Sequence, residues 1–87
     1  MWELELNVTI LYFASYKDQT GTQQEILDVP TDSDLGTIIG IVCENHKNII
    51  ACQKNIVAAV NEEYQDHNYK ISDGDIIALI PPVSGGR

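Results

Sequence analysis

The last seven residues, 81–87 (PPVSGGR), constrain the fold more than any other stretch of the chain. They follow the run Asp75–Ile80, whose apolar character and length are typical of a buried strand. Two successive prolines end that strand, because neither can donate a ladder hydrogen bond. Many Gly-Gly ends are simply loose termini, but a stiff Pro-Pro segment directly after a strand favours a narrow, projecting tail. We predict one domain over residues 1–80 and an extended, flexible tail over residues 81–87.

Composition and charge limit the classes of protein to which the chain can belong. Its 87 residues, 44% of them hydrophobic, fit a single globular domain. Thirteen acidic and five basic residues give a net charge of -8, which disfavours binding to nucleic acid and to anionic membrane surfaces. No apolar run approaches the roughly 20 residues of a membrane span, and Met1–Glu5 lacks the features of a signal peptide. We therefore expect a cytoplasmic protein with no nucleic-acid or membrane partner.

The first 29 residues predict a hairpin of two antiparallel strands. Glu3–Phe13 alternates between apolar and polar residues, which indicates a half-buried strand. Leu11 and Phe13 break the polar side of that alternation, and two apolar residues together on one face suggest a contact surface. A polar loop is expected over Ser15–Thr22, followed by a second strand over Gln23–Val29.

The next segment predicts the main helix, from about Thr31 to His46. Thr31 is a typical N-cap residue, and Asp32 and Asp34 would lie in the first turn, where negative charge suits the helix dipole. An apolar stripe follows at helical spacing and should pack on the sheet. The stripe includes Leu35, Ile39 and Val42, and the expected sheet contacts are Leu6, Val8, Ile10, Val57 and Val60.

The remaining segments complete the predicted architecture. Ile56–Asn61 has the length and composition of a strand, Tyr64–Tyr69 is expected to be short and extended, and Lys70–Asp75 is a turn with Asp-Gly at its centre. The order strand, strand, helix, strand, short strand, strand predicts an α+β fold of the β-grasp, or ubiquitin-like, type. Its mixed sheet would have four to five strands, with the one main helix packed on one face.

On this fold, the tail resembles that of the molybdopterin synthase small subunits. This family comprises the sulfur carriers of molybdenum cofactor synthesis, within the ubiquitin-like ThiS superfamily. The tail motif is the most specific part of the resemblance, and Val57–Asn61 and Asp73–Ile80 are similar to the family's central strand and last hairpin. The matching tail residues are Pro81, Pro82, Val83, Ser84, Gly85 and Gly86. The chain departs from the family where Arg87 follows the second glycine, and where the segment Ser15–Asp18 stands in the place of an Arg-Glu pair.

The resemblance implies a carrier that is itself a non-catalytic subunit of a sulfurtransferase complex. An adenylating, E1-like enzyme would use ATP to activate the carboxylate of Gly86, and sulfur from a persulfide would convert it to a thiocarboxylate. Gly85 would let the tail lie in the narrow active site of the large synthase subunit, in a heterotetramer, where sulfur passes to a cyclic pterin precursor. The chain itself would bind no cofactor. Because Arg87 blocks the carboxylate of Gly86, we expect a peptidase to remove it.

The same resemblance implies that partners bind an apolar patch on the sheet together with the tail. The predicted partner-binding residues are Leu11, Phe13, Tyr64 and Ile80 of the domain, and Pro81, Pro82, Val83 and Ser84 of the tail. Two alternatives stay open from the residues alone. One is a carrier of another pathway, such as thiazole or cysteine synthesis, or a protein-conjugating modifier; the other is a ubiquitin-like binding module with a blocked tail.

The histidines and cysteines do not form a recognisable metal motif. His46 and His67 lack a partner ligand at a useful spacing, and the separation of Cys43 from Cys52 matches no zinc pattern. We therefore predict structural roles for these residues and no metal site.

Overall fold

A computed structural model describes residues 5–51 and 53–81. Five strands form one mixed sheet in the order β2-β1-β5-β3-β4. The elements are β1 (Glu5–Tyr12), α1 (Ala14–Thr20), β2 (Gln24–Pro30), α2 (Leu35–Asn45), a short 3-10 helix (Gln53–Asn55), β3 (Val57–Val60), β4 (Glu63–Gln65) and β5 (Ile76–Ile80). The predicted β-grasp fold, with a mixed sheet and one main helix, is confirmed.

The neighbouring strands β1 and β5 run parallel, which requires the chain to cross the sheet between them. Thr9 lies beside Ile76 and Tyr12 beside Leu79 in this parallel pair. The other neighbours, β1–β2, β3–β5 and β3–β4, are antiparallel. The helix α2 lies within the crossover from β2 to the far half of the sheet, as the predicted order of elements requires.

The core fills the space between α2 and one face of the sheet, here called the helix side. The predicted stripe of α2 is buried, and the alternation of β1 places Val8 and Ile10 against it. The prediction was wrong for Val57, which is 49% exposed. Successive residues of a strand point to opposite faces, so Val57 and Val60 cannot share one. Ala58 and Val60 are the residues of β3 that join this core.

The N-cap of α2 lies three residues later than predicted. Its N-cap is Asp34, whose Oδ1 accepts hydrogen bonds from the Thr37 backbone N–H and from the Thr37 hydroxyl, each at 2.8 Å. These bonds lower the pKa of the Asp34 carboxyl. Thr31 and Asp32 form a turn before the helix, in which Asp32 has a positive φ of 70°. All four residues from Thr31 to Asp34 are of types that favour helix caps. The sequence alone is therefore compatible with several starting positions for α2.

A short helix, α1, replaces the polar loop predicted over Ser15–Thr22. It packs at the end of β1 through one buried side chain, Tyr16. Its first turn is closed by the Phe13 carbonyl, which accepts from the Tyr16 backbone N–H at 3.0 Å. Gly21 ends it in the left-handed conformation, with φ 79° and a backbone N–H that donates to the Lys17 carbonyl. The helix therefore depends on backbone bonds and one anchor, and it has no apolar stripe that would predict it.

The segment predicted to be extended over Tyr64–Tyr69 is only partly so. The strand β4 ends at Gln65, and the chain then turns to cover the start of α2. The carbonyl of Tyr69 accepts from the Leu35 backbone N–H at 2.9 Å, and that of His67 accepts from the Gly36 N–H at 2.8 Å. A Cβ on Gly36 would lie 3.3 Å from this His67 oxygen. Glycine at position 36 therefore allows the close approach that satisfies the helix N-terminus.

The other end of α2 is joined to the sheet by a small polar cluster on the helix side. The Tyr12 hydroxyl donates to Glu25 Oε1 at 2.6 Å, and His46 Nε2 lies 2.5 Å from the same oxygen. The Tyr12 and His46 rings also meet edge to face, with centroids 5.6 Å apart. Burial, and then the hydrogen bond to Glu25, raise the pKa of the Tyr12 hydroxyl far above its ordinary value of 10.0. This cluster connects β1, β2 and the C-terminal cap of the helix.

Candidate functional site

The sheet face away from α2 carries an uncovered band of apolar residues. Strand pairing places Leu11 beside Ala78, Ala78 beside Ala59, and Ala59 beside Tyr64, so the band crosses four strands. Val57 lies beside Ile80 in the same way. We call this surface the outer patch. Its residues are Leu11, Phe13, Val57, Ala59, Tyr64, Ile76, Ala78 and Ile80.

Large side chains in the outer patch are exposed to solvent although they are apolar. Phe13 is 46% exposed, Ile76 45% and Tyr64 69%. Leu11, Phe13, Ile76 and Ala78 line a shallow depression together with the turn that joins β3 to β4. A contiguous apolar surface that includes a depression is typical of a protein-binding site.

The outer patch leads directly to the tail. The strand β5 supplies Ile76, Ala78 and Ile80 to the patch, and Pro81 follows Ile80 and is partly buried. Because Leu79 pairs with Tyr12, the end of β5 lies beside the start of α1. The predicted tail residues 82–87, including Gly85 and Gly86, lie outside the described residues. A protein that covers the outer patch would therefore also be next to the root of the tail.

The structure brings together the four domain residues that the sequence predicted as a binding surface. Leu11, Phe13, Tyr64 and Ile80 all lie on the outer side of the sheet, and Leu11 and Phe13 line the same depression. Their role in binding stays a prediction.

The sequence interpretation missed four further members of the outer patch. They lie on the same face and are Val57, Ala59, Ile76 and Ala78. The alternation of β5 could have indicated Ile76 and Ala78, because they are spaced two residues from Ile80.

The described part of the chain meets the requirements of neither a metal site nor a membrane-spanning helix. Within residues 5–51 and 53–81, no group of three or more His, Cys, Asp or Glu side chains could hold a metal ion. Cys43 packs against the core, and Cys52 is outside the described residues. None of the helices in the described part is long and apolar enough to cross a membrane.

Comparison with known proteins places this arrangement in a family. The family model described as "ThiS family" matches residues 10–86, from within β1 to the second glycine of the tail. The chain belongs to the ThiS family. Arg87 lies beyond the matched residues, in agreement with its departure from the tail motif.

Two relatives of this ThiS family member are named molybdopterin synthase sulfur carrier subunit. The human protein is 33% identical over 82 residues, which cover 91% of this chain and 93% of that protein. The protein of Dictyostelium discoideum is 36% identical over 80 residues, which cover 88% of this chain and 93% of its own length. Both matches therefore extend over nearly the whole length of each chain.

Solved structures share the fold of this family member. The small archaeal modifier protein 1 of Haloferax volcanii superimposes with a TM-score of 0.80 at 21% identity, covering 90% of this chain and 99% of that one. A chain in a protein–protein complex of subunits 1 and 2 of molybdopterin-converting factor, from Helicobacter pylori, has a TM-score of 0.64 at 22% identity. That match covers 93% of this chain and 100% of the other.

Proposed function

We propose that this chain is the sulfur-carrier subunit of a molybdopterin synthase. The observation that carries the proposal is the match to the ThiS family over residues 10–86, which includes both glycines of the tail. The shared name of the relatives, over nearly their full length, supports the same role. The protein would act in molybdenum cofactor synthesis as a donor of sulfur to a cyclic pterin precursor.

In this role the reacting atom belongs to the chain terminus. An adenylating enzyme brings ATP, and a carboxylate oxygen of Gly86 attacks the α-phosphorus so that pyrophosphate leaves. The terminal sulfur of a persulfide then attacks the acyl carbon and AMP leaves. A thiol then attacks the donor's own sulfur in the resulting acyl disulfide and forms a new disulfide with it, so the transferred sulfur stays on Gly86 as a thiocarboxylate. The domain supplies neither a base nor a metal to these steps.

The large synthase subunit would be the acceptor of the loaded tail. The outer patch is the surface that fits this partner, because it is apolar, uncovered and continuous with the strand that leads to the tail. The Helicobacter pylori neighbour was solved in a complex of its own subunits 1 and 2, which supports a large-subunit partner for this chain. A complex of two carriers and two large subunits follows from the family resemblance.

The chemistry requires that the bond between Gly86 and Arg87 be cleaved. Adenylation needs a free carboxylate, and in the sequence as given that carboxyl group forms a peptide bond to Arg87. We therefore propose that a peptidase produces the working carrier with Gly86 as its terminus. The side chain of arginine is also too large and too charged for a channel that admits glycine.

Intact-mass spectrometry tests the proposal with two versions of the protein. A chain ending at Gly86 and the chain that keeps Arg87 are each incubated with the activating enzyme, ATP and a persulfide donor. We expect only the first to gain the mass difference between sulfur and oxygen, and to form molybdopterin with the large subunit and the pterin precursor. A chain ending at Gly86 that is never modified would overturn the sulfur-carrier role. A modified chain that cannot support molybdopterin formation would indicate a carrier for a different pathway.

A further inference from the structure

The turn between β3 and β4 places an acidic residue where the backbone favours glycine. Asn61 and Glu62 form this two-residue turn, and both have positive φ, at 51° and 76°. Hairpin turns of this kind prefer Asn-Gly, because only glycine takes the second position without strain. The chain has the expected asparagine but carries glutamate at the second position. A side chain in this position is strained, so its presence needs a physical reason.

Hydrogen bonds to the start of β5 hold the turn in this conformation. The Asn61 backbone N–H donates to the Ile76 carbonyl at 2.8 Å, and the Ile76 N–H donates to Asn61 Oδ1 at 3.0 Å. Asn61 Nδ2 also donates to Asp75 Oδ1 at 2.9 Å. Asp75 is buried, and its other oxygen accepts from the Ser72 backbone N–H at 2.8 Å. The position of Glu62 is therefore fixed relative to β5 and to the outer patch.

Glu62 lies at the edge of the depression in the outer patch. It lines that depression together with Leu11, Phe13, Ile76 and Ala78. Within the described part of the chain, ion pairs join Glu25 to His46 and Glu44 to Lys47, and neither includes Glu62. No lysine lines the depression either. The apolar depression is thus bordered by an exposed carboxylate whose charge the described residues do not pair.

We propose that Glu62 determines specificity at the outer patch by binding a lysine or arginine side chain of the protein that docks there. Asn61 and Asp75 act as positioning residues, because they hold the turn that presents the carboxylate. The inference rests on the proposed function, since it assigns the chemistry of the same partner. A charge at the edge of an apolar interface raises the association rate and disfavours partners that lack the opposite charge.

Two substitutions of Glu62 separate its effect on binding from its effect on folding. Glu62→Gly relieves the strain of a positive φ, so the thermal unfolding midpoint should rise while binding weakens. Glu62→Gln keeps the shape and the backbone strain and removes only the charge. Each should weaken binding to the large synthase subunit about tenfold, or about 1.4 kcal/mol, measured by titration calorimetry at low salt. Added sodium chloride should weaken wild-type binding more steeply than that of Glu62→Gln.

Glu63→Gln is the matched control. Glu63 is exposed and pairs with Val60, so its side chain lies on the helix side of the sheet. This variant should bind as the wild type does. The positioning role is tested by Asn61→Ala, which should weaken binding in the wild-type chain but have little further effect in Glu62→Gln. A purely structural role would instead give the same loss in both backgrounds.

Wild-type affinity in both Glu62 variants would overturn the inference. Phe13→Asp, measured in parallel, shows which claim has failed. If Phe13→Asp weakens binding and the Glu62 variants do not, the outer patch still binds the partner and only the role of Glu62 is wrong. If Phe13→Asp also binds normally, the outer patch is not the docking surface and both claims fall.

Discussion

Both sides of the sheet carry apolar residues where β1 and β5 meet, but the two sides differ in what covers them. On the helix side, Val8, Ile10, Ile77 and Leu79 are all 0% exposed beneath α2. On the other side, Phe13 and Ile76 keep nearly half of their surface in water. Apolar area stabilises a protein only when it is removed from water. The helix side therefore stabilises the isolated domain, whereas the outer patch can contribute when another protein covers it.

The sharpest test of this difference uses two neighbouring isoleucines of β5. Ile77 faces α2 and Ile76 belongs to the outer patch. Ile77→Ala should lower the free energy of unfolding by about 3 kcal/mol, because it leaves a cavity in the core. Ile76→Ala should lower it by less than about 1 kcal/mol, as is usual for a partly exposed site. Urea unfolding monitored by circular dichroism measures both.

The comparison fails if the two alanine variants lose similar stability. Should Ile77→Ala be too unstable to fold, Ile77→Val provides the same test with an expected loss of about 1 kcal/mol.

The second test places a charge in the outer patch. Phe13→Asp should weaken binding to the large subunit by at least about 2 kcal/mol, a loss typical of a central interface residue. The domain itself should stay within about 0.5 kcal/mol of its original stability, since Phe13 is exposed and aspartate is a favourable residue at the N-cap of α1.

Ile50→Asp is the matched control, because Ile50 is 86% exposed and outside the outer patch. It should leave affinity unchanged. An equal loss in the two variants would mean that charge in general, and not the outer patch, governs binding.

The third test concerns the one titratable hydroxyl that joins β1 to β2 on the helix side. The raised pKa of Tyr12 means that the folded chain keeps this proton at a pH where the unfolded chain loses it. The stabilisation of the fold by this proton is complete below the ordinary pKa of 10.0. It is lost as the pH rises above that value. Tyr12→Phe should cost about 1 kcal/mol at neutral pH, where the hydrogen bond to Glu25 is lost. Its stability should then fall less steeply than that of the wild type above pH 10.0.

Thermal unfolding between neutral pH and pH 11 would show the stabilities of the wild type and Tyr12→Phe approaching each other as the pH rises. Parallel curves for the two proteins would contradict it. Binding through the outer patch should be unchanged by Tyr12→Phe at neutral pH, because Tyr12 faces the helix.

The sequence predicted well those elements whose two faces differ in polarity. It was less accurate for elements whose two faces are alike. The alternation of β1 correctly assigned Val8 and Ile10 to the core, because the other side of that strand is mostly polar along its first half. In β3, the four residues are all apolar, so composition does not distinguish the two faces. The face of Val57 is set by its pairing with Ile80, a long-range contact that no local pattern contains.

The same reasoning explains the two errors around the helices. Only Tyr16 of α1 is buried, so its seven residues lack the repeated apolar spacing by which a helix is recognised. The start of α2 was placed at Thr31, although four successive residues could each have served as its cap. The loop that bonds to Leu35 and Gly36 comes from beyond β4, and this distant contact favours Asp34. The outer patch was predicted in part because Leu11 and Phe13 interrupt a polar face.

The position of β5 also determines how the domain responds to mechanical force. Four of its residues pair with β1 and four with β3, and the tail continues from its last residue. Tension on a bound tail therefore pulls β5 lengthwise between two neighbours. In that direction the hydrogen bonds on both sides are loaded together in shear, whereas a strand at the edge of a sheet can be peeled away bond by bond. The tail entry proposed above would thus pull this domain along the direction in which its sheet resists most.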